Sequence, residues 1–305
     1  MKILVFTEKP FAANAVKAIA ETVNASGNEL KLVEMGTRED LIEAVKDAEA
    51  LIVRSDKIDG EVMDAAPKLK VIVRAGAGYD NIDLEAATKH GICVMNTPGQ
   101  NSNAVAELVF GMMVMMCRNQ YNGKSGSELK DKRLGIYAFG QVGRNVARIA
   151  KGFGMKISAL DKFVADEVME AEGVSPVHEV DALFSDNDFV SLHIPATPET
   201  RKSIGYDLVM KMPKDGVLVN TARKEVIDEE GLLKALEERG DLRYVSDIKP
   251  DAAEEFEKRF SDRVFFTPKK MGAQTAEANF NAGVAAAEQA LAYLKDGWNK
   301  YQVNK

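Results

Sequence analysis

Short apolar runs alternate with amphipathic segments along almost the whole chain. Amphipathic stretches at Asn14–Asn24, Thr37–Asp47 and Asp59–Ala66 predict helices. Between and around them lie runs whose length and β-branched content predict strands: MKILVF (1–6), ELKLVEM (29–35), ALIVRS (50–55), KVIVRAG (70–76) and ICVMN (92–96). This alternation predicts a parallel sheet covered by helices on both faces.

A second series of the same kind follows Lys132. Its predicted strands are LGIYAF (134–139), KISALD (156–161), DFVSLHI (188–194), GVLVNTA (216–222), YVSDI (244–248) and VFFTP (264–268). Two successive series predict an α/β chain with two doubly wound parallel-sheet domains and a cleft between them. A chain of 305 residues also exceeds a comfortable single hydrophobic core.

Two longer helices complete the pattern. Ala104–Asn119 is apolar and rich in methionine but too short and interrupted to span a bilayer, and we expect its methionines at a domain or subunit interface. Ala273–Asp296 is rich in Ala and Glu, and it predicts a long helix that returns to pack on the first domain.

Composition narrows the classes of function. Apolar residues make up 46% and charged residues 29% of the chain, as in ordinary globular proteins. The net charge of −7, without a dominant basic patch, argues against nucleic-acid binding. No run is long enough for a membrane span, and no secretion signal is recognisable. Cys93 and Cys117 lie in apolar stretches without metal-site spacing, so we expect core cysteines, no metal site and a cytoplasmic protein.

The segment LGIYAFGQVGR (134–144) predicts a dinucleotide-binding turn. Gly140 and Gly143 occupy the second and third glycine places, and Ala138 occupies the first. Eighteen residues after Gly143, at a strand end, Asp161 can bind both ribose hydroxyls and would repel a 2′-phosphate, which favours NAD over NADP. The alternative is an ordinary strand–turn–helix whose glycines serve packing alone.

Together with flanking motifs, this segment resembles the D-2-hydroxyacid dehydrogenase family over essentially the whole chain, and within it the members that oxidise D-3-phosphoglycerate and lack a regulatory domain. The carriers are LIVRSDKID (51–59), VIVRAGAGYDNIDLEAATKHGICVMNTPGQN (71–101), AVAELVFG (104–111), SLHIPATPET (191–200), VLVNTARKEVID (217–228) and TPKKMGAQTAEA (267–278). The resemblance implies a Rossmann-type NAD domain at 99–280 and a flavodoxin-like substrate domain formed by 1–98 and 281–305.

The resemblance also implies site residues. Substrate would be bound by Arg54, Ser55, Gly76, Gly78 and Asn101. Arg223 would bind the substrate carboxylate, and Asp247 would meet the nicotinamide amide. Other residues would line the cofactor: Ala77, Gly140, Gln141, Val142, Ile194, Pro195, Thr221, Ala222, Gly272 and Ala273. Physically, a glycine loop presents N–H donors to a carboxylate, and Arg54 with Lys57 could meet a phosphate. Some family members have a second Arg where this chain has Asp56.

The chain departs from the family at the proton-transfer position. The family uses a His, polarised by a Glu, where this chain reads TPKKMGA (267–273). Alignment on the Thr-Pro pair puts Lys269 in the His place, which we favour, and alignment on the Gly-Ala pair puts Lys270 there. Asp251 lies near the Glu place. A lysine can act as a base if desolvation or a neighbouring cation lowers its pKa. The alternative is two solvated lysines at the lip of the cleft.

The three histidines, His90, His178 and His193, lie in other motifs. His193 is the nearest of them to the cofactor by motif, and we expect it to be structural or to contact the cofactor.

The leading hypothesis is NAD-dependent oxidation of D-3-phosphoglycerate to 3-phosphohydroxypyruvate, the entry to serine synthesis. The partner would be a small anionic, phosphorylated hydroxy acid. The alternatives are a reductase of glyoxylate, hydroxypyruvate or another 2-oxo acid, and a catalytically inactive NAD-sensing protein. The family is usually dimeric through its nucleotide domain, so a homodimer is expected, with neither a nucleic acid nor a membrane as partner.

Overall fold

The computed structural model describes residues 1–304, which fold into two units. The first unit comprises Met1–Asn101 and the described residues from Gln274 onward, and the second comprises Ser102–Ala273. Compared with the bounds expected from the sequence, residues 99–101 and 274–280 lie in the first unit. No helix within residues 1–304 is both long enough and apolar enough to cross a membrane.

The first unit is a five-stranded parallel sheet flanked by helices. Its strands are β1 (Lys2–Thr7), β2 (Glu29–Glu34), β3 (Ala50–Val53), β4 (Val71–Arg74) and β5 (Cys93–Asn96), in the order β2-β1-β3-β4-β5. Its helices, numbered along the chain, are α1 (Ala13–Ala25), α2 (Arg38–Val45), α3 (Gly60–Asp64), α4 (Leu84–Lys89) and α12 (Ala276–Asp296). This strand order is flavodoxin-like.

Strands β1, β3, β4 and β5 are largely buried on both faces, where successive side chains point to opposite sides, whereas the edge strand β2 is partly exposed. In β1, Leu4 and Phe6 face a core shared with α2, α3 and α4, whereas Ile3 and Val5 face a core shared with α1 and α12. The long helix α12 packs against α1, as expected. Its N-cap is Thr275, whose hydroxyl accepts a hydrogen bond from the Ala278 N–H.

The second unit is a seven-stranded parallel sheet, also flanked by helices. Its strands are β6 (Arg133–Tyr137), β7 (Lys156–Leu160), β8 (Ser175–Pro176), β9 (Phe189–Leu192), β10 (Val217–Asn220), β11 (Arg243–Ser246) and β12 (Val264–Phe266), in the order β12-β11-β10-β9-β6-β7-β8. Its helices are α5 (Ser102–Cys117), α6 (Gln141–Gly152), α7 (Asp166–Ala171), α8 (Val180–Ser185), α9 (Tyr206–Val209), α10 (Glu229–Glu238) and α11 (Ala253–Phe260). The prediction of two doubly wound parallel sheets is confirmed.

The methionine-rich helix corrects one expectation. Met112, Met113 and Met116 of α5 are at most 2% exposed and belong to the core of the second unit, where α5 packs on α6 and β10. They therefore fill a core rather than form a domain or subunit interface. Cys93 and Cys117 are buried and free, as expected.

Candidate active site

The turn after β6 brings a helix against a strand at close range. Ala138, in the first glycine place, has φ +79°, in the left-handed region that favours glycine. A Cβ on Gly143 would lie 2.3 Å from the Ala138 carbonyl oxygen. Gly143 therefore permits the close packing of α6 on β6.

The N-terminus of α6 has the features of an anion-binding site. Its N-cap, Gly140, makes no side-chain capping bond, and no acidic residue lies in the first turn. The backbone N–H groups and the positive end of the helix dipole are therefore uncompensated by the chain. A Cβ on Gly140 would have no atom within 4 Å, so the turn leaves open space beside these donors. A pyrophosphate fits this site by charge and by space.

Asp161 follows β7, the neighbour of β6. Its Oδ2 accepts the Phe139 N–H at 2.8 Å, and its Oδ1 accepts the Phe163 N–H at 2.8 Å. Two backbone donors thus fix the carboxylate beside the glycine turn. Each oxygen keeps a lone pair for a further donor such as a ribose hydroxyl. This geometry fits the nucleotide role that the sequence predicts.

The strand order explains why these residues lie on one edge. The chain starts in the middle of the second sheet at β6, runs outward to β8, and then returns to β9 on the other side of β6. In such sheets, ligands bind at the carboxyl ends of the strands where the direction reverses. Ile194 and Pro195 follow β9 on that edge, and Thr221 and Ala222 follow β10.

Arg223 lies on a turn that is held by Asn220, a residue that the sequence analysis did not single out. The Asn220 side chain is 0% exposed at the end of β10. Its Oδ1 accepts the Ala222 N–H at 2.9 Å, and its Nδ2 donates to the Arg223 carbonyl at 2.9 Å. The Arg223 Nη1 donates to the Ala222 carbonyl at 2.9 Å. The amide of Asn220 therefore fixes the backbone from which the guanidinium extends.

Asp247, at the end of β11, binds the segment that carries the two lysines. Its Oδ1 accepts the Thr267 hydroxyl at 3.0 Å and the Met271 N–H at 2.7 Å, and its Oδ2 accepts the Gly272 N–H at 2.7 Å. The side chain is 0% exposed. A direct contact with a cofactor thus requires the 267–272 segment to move, and the predicted nicotinamide contact stays a prediction.

Lys269 and Lys270 lie between these contacts, and both side chains are exposed. In this conformation neither is desolvated by the chain. Asp251, near the family's Glu place, pairs with Lys224 at 2.5 Å. Asp251 therefore pairs with a lysine other than the two candidate bases.

His193 follows β9 and lies between two hydroxyl groups. Its Nε2 lies 2.9 Å from the Ser191 hydroxyl and its Nδ1 lies 3.3 Å from the Thr221 hydroxyl. Burial lowers the pKa of His193 to about 3. The ring is therefore uncharged at neutral pH and holds Thr221 at the end of β10.

In the first unit, Arg54 and Ser55 follow β3, and Gly76, Ala77 and Gly78 follow β4, its neighbour. The Arg54 guanidinium donates to the carbonyls of Lys9 and Pro10 and to the Asn279 Oδ1, and it covers the Phe11 ring. The candidate substrate-binding residues of the first sheet therefore lie at the ends of adjacent strands. Asn101 is half-buried just before α5.

Asp56 and Lys57 have roles other than anion binding. Asp56 is 2% exposed and accepts the N–H groups of Glu8 and Arg54, so it fixes the turn. The Lys57 ammonium lies 3.5 Å from Asp59, and its side chain is 79% exposed. Lys57 and Arg54 therefore do not converge on one pocket.

Arg74 is a second cation that the sequence analysis missed. Its Nε donates to the Arg54 carbonyl at 2.9 Å, and a Cβ on Gly76, which has φ +150°, would lie 1.6 Å from its Nη1. The guanidinium thus lies over the glycine loop. The loop carbonyls accept bonds from Thr97 and Asn96. The N–H groups of such a glycine loop are donors of the kind that bind an anion.

Comparison with known proteins agrees with this arrangement. The profile of the D-isomer specific 2-hydroxyacid dehydrogenase catalytic domain matches residues 3–304. The chain is 50% identical to an NAD+-bound 3-phosphoglycerate dehydrogenase of Entamoeba histolytica, with a TM-score of 0.88 over 100% of this chain and 99% of that one.

Two curated relatives carry different names. A D-3-phosphoglycerate dehydrogenase of Methanocaldococcus jannaschii is 38% identical over 97% of this chain, which spans 58% of that protein's length. A hydroxypyruvate reductase of Thermotoga maritima is 37% identical over 83% of this chain and 87% of its own length. The chain belongs to the D-isomer specific 2-hydroxyacid dehydrogenase family.

Proposed function

We propose that this protein oxidises D-3-phosphoglycerate to 3-phosphohydroxypyruvate with NAD. The observation that carries the proposal is that one edge of the second sheet holds an anion-ready turn at β6, a fixed carboxylate at Asp161 and a fixed arginine turn at Arg223. The NAD+-bound relative, similar along its whole length, supports the cofactor and the substrate class. NAD, when bound, supplies the acceptor for a hydride.

The chain supplies orientation and proton transfer. Arg223 binds the substrate carboxylate through its planar guanidinium and so orients the carbon that bears the hydroxyl. Lys269, as the neutral amine, takes the hydroxyl proton as the hydride leaves, and its ammonium returns the proton in the reverse direction. Lys270 is the alternative base.

Phosphate recognition is assigned to the first unit. Arg74 places its guanidinium over the Gly76–Gly78 loop, and the carbonyl of Arg54, at the end of the neighbouring strand, accepts the Arg74 Nε–H. The N–H donors of the glycine loop suit an anionic oxygen. In this proposal Arg74, rather than Lys57, is the second cation that binds the phosphate. A hydrogen bond to a charged group contributes about 1.5–3 kcal/mol, or roughly 10- to 150-fold in kcat/KM.

The test is NADH formation from D-3-phosphoglycerate by wild type, Lys269→Ala and Lys270→Ala. We expect Lys269→Ala to lower kcat by about 10²- to 10⁴-fold and Lys270→Ala to lower it by less than about tenfold. NADH affinity should be unchanged in both. The reverse order would assign the base to Lys270, and full activity in both variants would refute the lysine mechanism.

A reductase is the second candidate because the Thermotoga relative bears that name. It predicts that kcat/KM for hydroxypyruvate or glyoxylate exceeds that for the phosphorylated pair and that Arg74→Ala leaves it unchanged. NADH binding without turnover of any 2-hydroxy or 2-oxo acid would instead identify a binding protein. A homodimer and a cytoplasmic location stay predictions, the first of which light scattering of the purified protein can test.

A further inference from the structure

A buried polar network joins the ends of β10, β11 and β12. Its members, Asn220, Ser246, Asp247 and Thr267, are each at most 3% exposed. The Asn220 carbonyl accepts the Asp247 N–H at 3.0 Å and the Ser246 hydroxyl at 3.1 Å. The Thr267 N–H donates to the Ser246 carbonyl at 3.1 Å, and the Thr267 hydroxyl donates to the Asp247 carbonyl at 2.7 Å.

The side chains at the two ends of this network hold different segments. The Asn220 amide holds the turn of Arg223, and the Asp247 carboxylate holds the segment of Lys269 and Lys270. These segments are more than 40 residues apart in the chain. The buried network is therefore what fixes one relative to the other on the edge of the sheet.

Gly272 gives independent evidence that the lysine segment lies tightly against Asp247. A Cβ at this position would lie 2.8 Å from the Asp247 Oδ2 and 3.2 Å from the Val105 Cγ2. Only a residue without a side chain lets the segment return this closely to the carboxylate. Pro268, Lys269, Lys270 and Met271 are exposed, so core packing contributes little to holding these four residues, and the bonds to Asp247 help to hold them.

We propose that Asn220 and Asp247 are positioning residues of the active site, which set Arg223 and the lysine segment in one rigid frame. The proposal rests on the proposed function for its catalytic consequence. Asp247 thereby acts through the lysine segment, in addition to any contact with cofactor. A fully satisfied buried network is the kind of support that holds a catalytic side chain within a fraction of an ångström.

Two isosteric variants test the frame. Asp247→Asn replaces one acceptor by an N–H that faces the Met271 or Gly272 N–H, and Asn220→Asp places an acceptor against the Arg223 carbonyl. The matched controls are Asp188→Asn and Asn187→Asp. Asp188 accepts the Arg133 N–H at 2.8 Å and the buried Asn187 donates to the Leu183 carbonyl at 2.9 Å, both just before β9 on the opposite edge of the sheet.

The first readout is amide hydrogen exchange, which needs no turnover. In Asp247→Asn, exchange within 267–273 should speed up by about tenfold or more, with other segments unchanged. Asn220→Asp should act likewise within 221–224. The controls should leave both segments as in wild type. Unchanged exchange in both variants would overturn the frame whatever the enzyme's substrate.

The second readout is kinetic. A misplaced proton acceptor costs about 10- to 100-fold in rate, so Asp247→Asn should lower kcat by that factor with NADH affinity within about threefold. Asn220→Asp should mainly raise KM for the acid. Gly272→Ala, which keeps Asp247, should reproduce the loss of kcat. Weakened NADH binding by Asp247→Asn, with exchange and the Gly272→Ala kcat unchanged, would instead make Asp247 a cofactor ligand only.

If wild type fails to turn over any 2-hydroxy acid, the proposed function falls while the exchange experiment still decides the frame. Thr267→Ser, which keeps the hydroxyl, should retain activity, and Thr267→Val, which removes it, should not. Equal activity of these two variants would remove Thr267 from the network's function.

Discussion

Gly143 and Gly140 lie three residues apart at the start of α6, and the structure gives them opposite sensitivities. The Cβ of Gly143→Ala would lie 2.3 Å from the Ala138 carbonyl oxygen, whereas carbon atoms pack at about 3.5–4.0 Å. The helix must move more than about 1 Å from β6 to relieve the overlap. The Cβ of Gly140→Ala meets nothing within 4 Å.

The magnitudes follow from these contacts. Overpacking costs typically 1–3 kcal/mol, and a rigid backbone partner places Gly143→Ala near the upper end, at about 3 kcal/mol. For a unit of this size, that corresponds to a fall in Tm of about 6–12 °C. Gly140→Ala loses only the preference for glycine over alanine at an N-cap, about 1 kcal/mol or less. Its methyl group, however, occupies the space that a pyrophosphate needs, so NADH should bind at least about tenfold more weakly.

Thermal unfolding without ligand and NADH titration by fluorescence separate the two effects. The expected pattern is a large loss of stability in Gly143→Ala and a loss of affinity with near-normal stability in Gly140→Ala. A wild-type Tm in Gly143→Ala would show that α6 is not tightly packed on β6. A wild-type affinity in Gly140→Ala would mean that the cofactor binds elsewhere, and both proposals on catalysis would lose their basis.

Three further expectations concern strain and ionisation. Ala138→Gly relieves a φ of +79°, which costs a non-glycine residue about 1–2 kcal/mol. Glycine also makes the unfolded chain more flexible, so we expect the free energy of unfolding in urea to rise by only about 0.5–1 kcal/mol. A clear loss of stability would contradict this expectation. Burial lowers the pKa of His193 to about 3, so below pH 6.5 the unfolded chain binds a proton that the folded chain does not. The free energy of unfolding should therefore fall as pH drops from about 6.5 towards 3, by about 2 kcal/mol at pH 5. His193→Gln should lose this part of the acid sensitivity, and superimposable pH profiles of wild type and variant would refute it. Burial raises the pKa of the Cys93 thiol to about 11, so native protein near neutral pH should react with iodoacetamide far more slowly than the urea-unfolded chain, and equal rates would count against that burial.

The sequence determined the secondary structure well because the sheets are parallel and buried on both faces. Such strands appear as nearly continuous apolar runs, and all eleven predicted runs contain a strand. The missed strand, β8, has only two residues, Ser175 and Pro176, and a proline edge strand carries no apolar run. The sequence did not show what covers the α5 methionines, because an apolar helix face has the same sequence pattern whether it packs in a core or against a partner.

The sequence also placed several candidate residues just after strands, since motif and strand end fall close together at Arg54, Asp161 and Arg223. Only the tertiary structure decided which side chains meet. The rotamer of Arg74 set its guanidinium over the glycine loop, the pairing of β3 with β4 brought it to the Arg54 carbonyl, and the register of β10, β11 and β12 joined Asn220 to Asp247. These contacts join neighbouring strands through backbone and side-chain hydrogen bonds, and their geometry depends on sheet order and rotamers that a linear pattern does not contain.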